Sequence, residues 1–170
     1  LYELMRALEA VRSGDFSVRL PSGQDGVVSK ISVLFNEIVG ANQNMAQQLE
    51  RIGKSVGEQG RTRQRVKFGI STATWGEMES SVNTLIDDLV WPTTEVTRVI
   101  SAVAQGDLLQ TARLDVDGRP LRGEFLRSAT IVNTMIKQLS VFTSEVTRVA
   151  REVGTEGKLG GQADVRGVSG

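Results

Sequence analysis

Apolar residues recur along three stretches of the chain in alternating steps of four and three. The first stretch is Ile31, Phe35, Ile38, Asn42, Met45, Leu49, Ile52 and Val56. The second is Met78, Val82, Leu85, Leu89, Pro92, Val96, Val99 and Val103. The third is Ser128, Val132, Met135, Leu139, Phe142, Val146, Val149 and Val153. This rhythm is the a/d heptad of a coiled coil, held for nearly four heptads. A helix lying on a single core shows a wider apolar stripe. A seam this narrow, in one register three times over, predicts helices that pair with copies of themselves. For any one stretch alone, the alternative is an ordinary bundle folded within one chain. Each helix would span about 26–30 residues, or roughly 40–45 Å at 1.5 Å per residue. A shorter stretch, Leu4, Ala7, Leu8 and Val11, matches Val96, Val99, Ile100 and Val103. The chain thus opens at the end of one such helix and reads as a fragment of something longer.

The repeat is also spelled out in polar residues. The phrase EVTRV stands at Glu95–Val99 and again at Glu145–Val149, and Val82–Leu85 (VNTL) returns as Val132–Met135 (VNTM). Asn36, Asn83 and Asn133 are therefore equivalent, each just after a seam position. Their expected role is to hydrogen-bond a connector to the helix, against the alternative of an ordinary solvated face. A glycine follows each seam: Gly14, Gly60, Gly106 and Gly157. Glycine at that place reads as a helix C-cap, because it enters the left-handed region cheaply.

Connectors of about 12–17 residues follow, too long to be structureless in a compact unit unless they pack along something. Phe16, Val18 and Leu20, or Leu108, Leu114 and Val116, are the expected packing handles. A connector of this length can run back along a helix of four or five turns, so the next helix is parallel to the last. The expected fold is all-α: stacked parallel four-helix coiled-coil bundles formed by a homodimer, with long continuous helices joined by non-helical connectors.

Composition removes most chemistry. The 170 residues include 20 basic and 20 acidic side chains, 39% hydrophobic residues, no cysteine and no histidine. Thiolate or imidazole catalysis, His or Cys metal ligation and a phospho-accepting histidine are excluded within this segment, and the balanced charge argues against a nucleic-acid grip. No catalytic, cofactor-binding or metal-binding set is expected, and no membrane span, since no apolar run approaches the ~18–20 residues required. Arg61, Arg63, Arg65 and Lys67 form one basic run, read as a solvated edge rather than a phosphate site. Gly160-Gly161 lacks the strand, lysine and serine of a phosphate loop.

Some seam residues depart from the pattern. Pro92 removes a helical hydrogen bond at a cost of about 3 kcal/mol. It is read as a kink, or as a helix restarting with proline in its first turn, or as a hinge that lets neighbouring units switch separately. Trp91 beside it is read as a packing residue. Asn42 is read as fixing register, and Ser128 as loosening the first turn of its helix.

These features together resemble a known family. The segments AVAQGDL, DVDGRPLRGEF and IVNTMIKQL, with EVTRVAREVGTEGKLGGQADVRGVSG, resemble tandem HAMP signalling domains, in particular the poly-HAMP region of group III hybrid histidine kinases. The resemblance is closest over 145–170, good over 76–142 and looser over 1–75. It implies HAMP units at 1–48, 49–95, 96–145 and the first half of a fourth at 146–170, the second and fourth being of a divergent type. Their exits differ: Val11 and Val103 precede their glycines by three residues, Val56 and Val153 by four. The family's acidic residue opening the second helix falls on Glu124, which suits a helix N-terminus. Val27 and Thr74 stand at the equivalent places in the first two units.

The resemblance implies a parallel homodimer that relays conformational change from an upstream sensor to a histidine kinase output in a two-component phosphorelay protein. It implies a cytoplasmic setting, with a parent that can be membrane-anchored. The parent would be a transferase; the segment itself would not be an enzyme. A chemoreceptor HAMP array and a passive coiled-coil spacer are the alternatives.

Overall fold

The computed structural model describes residues 2–21, 26–69 and 73–155. These residues are mostly helical. They form α1 (Tyr2–Arg12), α2 (Val27–Ile52), α3 (Ala73–Ala104) and α4 (Gly123–Thr155), with a π-helical turn over Gly53–Glu58 that continues α2. A two-stranded antiparallel hairpin, β1 (Asp115–Val116) and β2 (Arg119–Pro120), lies between α3 and α4. The chain divides into two compact units, Leu1–Asp88 and Leu89–Gly170, with the boundary inside α3. The fourth expected repeat, including Gly157, lies largely outside the described residues.

Each helix–connector–helix repeat has its own core. In the first, Ala7 of α1, Leu20 of the connector, and Phe35 and Val39 of α2 are buried, with Leu4, Val11, Phe16 and Val18 packed against them. In the second, Ile52, Val66 and Phe68 are buried, flanked by Met45, Val56, Val82 and Ile86. In the third, Val99, Ala112, Leu121, Ala129 and Ile136 are buried, flanked by Trp91, Val103, Val116, Phe125 and Val132. The connectors thus contribute central core residues. Val39 and Val99, at 1% and 0% exposure, are the largest fully enclosed side chains; each stabilises its core by about 1.5–3 kcal/mol.

The order of hydrogen bonds fixes the direction of the helices within a repeat. Along the second connector, Arg65, Val66 and Phe68 meet Asp87, Asn83 and Glu79 of α3 in turn. On the α2 side, Arg61 bonds Ser55 and Phe68 bonds Asn44. The connector therefore runs antiparallel to both helices, and α2 and α3 run parallel to one another. The third connector repeats this course: Thr111 and Arg113 meet Arg98 and Glu95 of α3, and Ala112 meets Asn133, ten residues above the start of α4.

Three details differ from the pattern read in the chain. First, α3 continues through Pro92, which is buried inside it. The helix neither ends nor restarts there. The hydroxyls of Thr93 and Thr94 both donate to the Val90 carbonyl (2.8 and 2.9 Å), side-chain bonds to the backbone on the turn that the proline occupies. Second, the intrachain core uses a flank of the seam as well as the seam itself: Val39 and Ile136, each three residues past the repeated asparagine, are enclosed. The apolar stripe is wider than two positions per heptad. Third, Leu114 of the third connector is exposed, while Ala112 and Leu121 take the buried places. A hairpin lies between Leu114 and Leu121, where Asp117 and Gly118 both adopt positive φ (49° and 77°) and turn the chain in a two-residue loop.

Candidate functional site: connector clamps and an open seam

The three repeated asparagines do the same thing in each repeat. The Asn36 carboxamide accepts from Leu20 N–H and donates to Leu20 C=O, both at 2.8 Å. Asn83 does so with Val66 at 2.9 and 3.1 Å. Asn133 does so with Ala112 at 2.7 and 2.9 Å. A primary amide is suited to this because it carries one acceptor and one donor side by side, matching both backbone groups of one extended residue. Leu20, Val66 and Ala112 are 7%, 2% and 3% exposed, so those backbone groups have little access to water and the clamp satisfies them. Each clamped residue stands six positions after its capping glycine.

The glycines set where each connector departs. Gly14 and Gly106 have φ of 90° and 84°. At the first, Asp15 N–H reaches Ala10 C=O and Gly14 N–H reaches Val11 C=O, both at 3.0 Å. At the second, Asp107 reaches Ala102 at 3.0 Å and Gly106 reaches Val103 at 2.9 Å. This pair of bonds is the Schellman ending, which needs the left-handed residue that glycine supplies. The following aspartates begin the connectors: Asp15 Oδ1 accepts from Ser17 N–H and Oγ–H, and Asp107 Oδ1 from Leu109 N–H. The Ser17 hydroxyl, and then its backbone N–H, hold the Asp15 carboxyl below its usual range. At the second exit the extra residue is taken up by the π turn, and Arg61 N–H reaches back to Ser55 C=O at 2.9 Å.

The third repeat adds a buried carboxylate. Glu95, 4% exposed, accepts from Arg98 Nε and Nη2 at 3.0 and 2.9 Å and from Arg113 N–H at 3.1 Å. The Arg98 hydrogen bonds pull the Glu95 carboxyl down to about 2, burial opposes this, and the Arg113 backbone N–H assists it. Arg98 also donates to Gln110 Oε1 and Thr111 C=O, and Arg113 lies over the Trp91 ring with its guanidinium carbon 5.0 Å from the centroid. Trp91, Glu95 and Arg98 thus fasten the third connector to α3.

The heptad pattern picks out the valines of EVTRV and not Glu95. The signal was there, because an acidic residue three before an arginine recurs as Glu3/Arg6, Glu95/Arg98 and Glu145/Arg148, with Gln48/Arg51 in the remaining copy. Arg51 donates to Gln48 Oε1, and Arg148 bridges Glu145 and Glu152.

The seam residues fall into two groups. Phe35, Ile52 and Val99 are buried within the chain, as is Pro92. Val56, Val82, Val103 and Val132 are half-buried against the repeat cores, and Met45 with them; Val96 and Val149 are also half-buried. The rest are open: Ile31, Ile38, Leu49, Met78, Leu85, Leu89, Met135, Leu139, Phe142, Val146 and Val153. Ile38, Leu85 and Phe142 are 60%, 58% and 52% exposed. Single exposed apolar side chains are ordinary, but a row of them at heptad spacing along helix after helix is not.

Of the other singled-out residues, Asn42 donates to the Ile38 carbonyl of its own helix, and Ser128 is exposed. Glu124 is the second residue of α4, largely exposed, with a 3.5 Å ion pair to Arg127. In the basic run, Arg65 pairs with Asp87 and donates to the Thr62 and Gln64 carbonyls, while Arg61, Arg63 and Lys67 are exposed. Among the described residues no group of three or more acidic side chains converges as a metal site, and no helix is long and apolar enough to cross a membrane. Compared with known proteins, the chain matches no family model and no solved structure.

Proposed function

We propose that this chain is a run of tandem HAMP-type relay units that works as a parallel homodimer. It passes changes in helix arrangement from an upstream input to a histidine kinase output of the same polypeptide, in a cytoplasmic setting. The observation that carries this reading is the combination of three clamped helix–connector–parallel-helix repeats with a heptad row left open on α2, α3 and α4. Each repeat encloses only one side of its helices, so a second copy laid alongside in the same direction would cover the rest and complete a four-helix layer. Packing on small and β-branched residues gives arrangements of similar energy, and an input supplying a few kcal/mol of differential interaction shifts their balance. The second helix of each repeat is the first helix of the next, so a rotation or splay is handed on.

The test uses the absence of native cysteine. Single cysteines at Leu85 and at Phe142, both on the open row, are expected to cross-link to their own counterparts on oxidation, and sedimentation equilibrium is expected to give a dimer. A monomer at high concentration, or a doubly substituted chain that links position 85 to position 142 between copies, would overturn the arrangement. A relay is separated from a spacer in the longer protein, where removing one unit changes kinase output only if state is transmitted.

A further inference from the structure

The second exit differs from the first and third in one extra residue and two glycines: Gly53 opens its π turn where Leu8 and Ile100 stand, and Gly57 follows the seam valine where Arg12 and Ala104 stand. Two residues separate Val11 from Gly14 and Val103 from Gly106, but three separate Val56 from Gly60. The closing bond joins equivalent ends in all three: Ala10 C=O to Asp15 N–H, Ala102 C=O to Asp107 N–H, and Ser55 C=O to Arg61 N–H. The extra residue is stored in the π turn over Gly53–Glu58, where Gln59 N–H also bonds back to Lys54 C=O at 3.0 Å. Of the two glycines inside that turn, Gly53 lies at its start and Gly57 directly after the seam valine. Gly57 is helical, with nothing within 4 Å of the place a Cβ would occupy, whereas Gly60 caps the turn at φ 66°. No glycine stands between valine and cap in the first and third exits; the last copy again has two, Gly154 and Gly157.

We infer that the second exit is a two-position stop. In the long position, seen here, the chain is capped at Gly60 and carries the π turn. In the short position it is capped at Gly57, the helix ends in an ordinary α turn, and Glu58, Gln59 and Gly60 join the connector. The short position gives up the Arg61–Ser55 and Gln59–Lys54 bonds. The long one retains them at the expense of π geometry, which helices tolerate only in short pieces. These opposing terms set the balance between the two positions. The exchange changes the slack of the second connector by three residues while Asn83 still holds Val66, a freedom the single-glycine exits lack. The inference stands on bonds within one chain and does not rest on pairing with a second copy.

Amide exchange on the full chain tests it. Gly57→Ala removes the short stop and fits the open space, so exchange at Gln59 and Arg61 is expected to slow about fivefold, the factor set by the helix preference of alanine over glycine. Gly60→Ala penalises the left-handed cap, so exchange at the same amides is expected to quicken about tenfold, with Val66 protection unchanged. At the third exit, which has no second stop, Gly106→Ala is expected to lower Ala112 protection along with that of Asp107. The proposal is overturned if Gly60→Ala exposes Val66 together with Arg61, or if Gly57→Ala leaves Gln59 and Arg61 unchanged.

Discussion

The second and third connectors reach the same end by different routes. Both return along their helices, both bury a residue six positions after a glycine, and both surrender that residue's N–H and C=O to an asparagine. The second leaves its helix through a π turn and takes two further bonds at Phe68, accepted by Glu79 and donated by Asn44. The third leaves through a Schellman cap, anchors on buried Glu95 and carries a hairpin. The shared part holds both backbone groups of one buried residue with a single side chain, while at buried Phe68 the second connector divides the same task between Glu79 and Asn44. The variable parts are those for which several side-chain solutions meet the same need.

If that is correct, the clamp dominates the energetics of both repeats. Asn133→Ala leaves the buried N–H and C=O of Ala112 without partners, and the expected loss is about 2–6 kcal/mol, at 1–3 per stranded group. Asn83→Ala should cost a similar amount through Val66. Urea denaturation of the two variants checks this, and a cost in one repeat with none in the other would break the equivalence.

The next effect belongs to the third repeat alone. Glu95 titrates at about 2 in the folded chain against an ordinary value of 4.5. Its contribution is complete above the ordinary value and fades as pH falls from about 5 through 4.5 towards 2, a loss on the order of 2–3 kcal/mol. Glu95→Gln should flatten that limb of the stability–pH curve. Chemical denaturation between pH 2 and 7 provides the comparison, and an unchanged curve would remove Glu95 as an anchor.

Smaller effects separate anchor from ornament. Gly118→Ala at φ 77° should cost about 1 kcal/mol, without disturbing Ala112 protection. Arg113→Ala removes both the contact with Trp91 and the long 3.4 Å side-chain bond to Glu95 while its backbone bond to Glu95 persists, and about 0.5–1 kcal/mol is expected from thermal unfolding. A larger loss would mean that the Arg113 side chain, through Trp91 and Glu95 together, holds the third connector more than the backbone bond does.

Much of this was legible in the chain. The heptad steps gave the long helices, because apolar spacing is a local property that a helix converts directly into a face. The glycines gave the exits, because a left-handed cap is a local steric demand. The recurrence of Asn36, Asn83 and Asn133 marked the residues that pin the connectors. Glu95 was hidden by its own helix: an acidic residue near an arginine is ordinary surface chemistry until a connector folds over it. The hairpin does not follow from the spacing of apolar residues; its signal is the Asp117-Gly118 pair, which suits a two-residue turn.

By itself, then, the sequence determined a helical chain with a repeated seam and its capping glycines, set by neighbours within a few residues, and it marked three recurring amides whose partners lie 16, 17 and 21 positions away. Only the tertiary structure decided which side of each seam closes on its own connector and which stays open. It also decided that α3 runs on through Pro92 and that an inserted residue winds into a π turn. The choice of closed and open sides depends on contacts between residues distant along the chain, where packing and hydrogen-bond satisfaction outweigh local preference, whereas the π turn and the passage through Pro92 show in bonds between near neighbours.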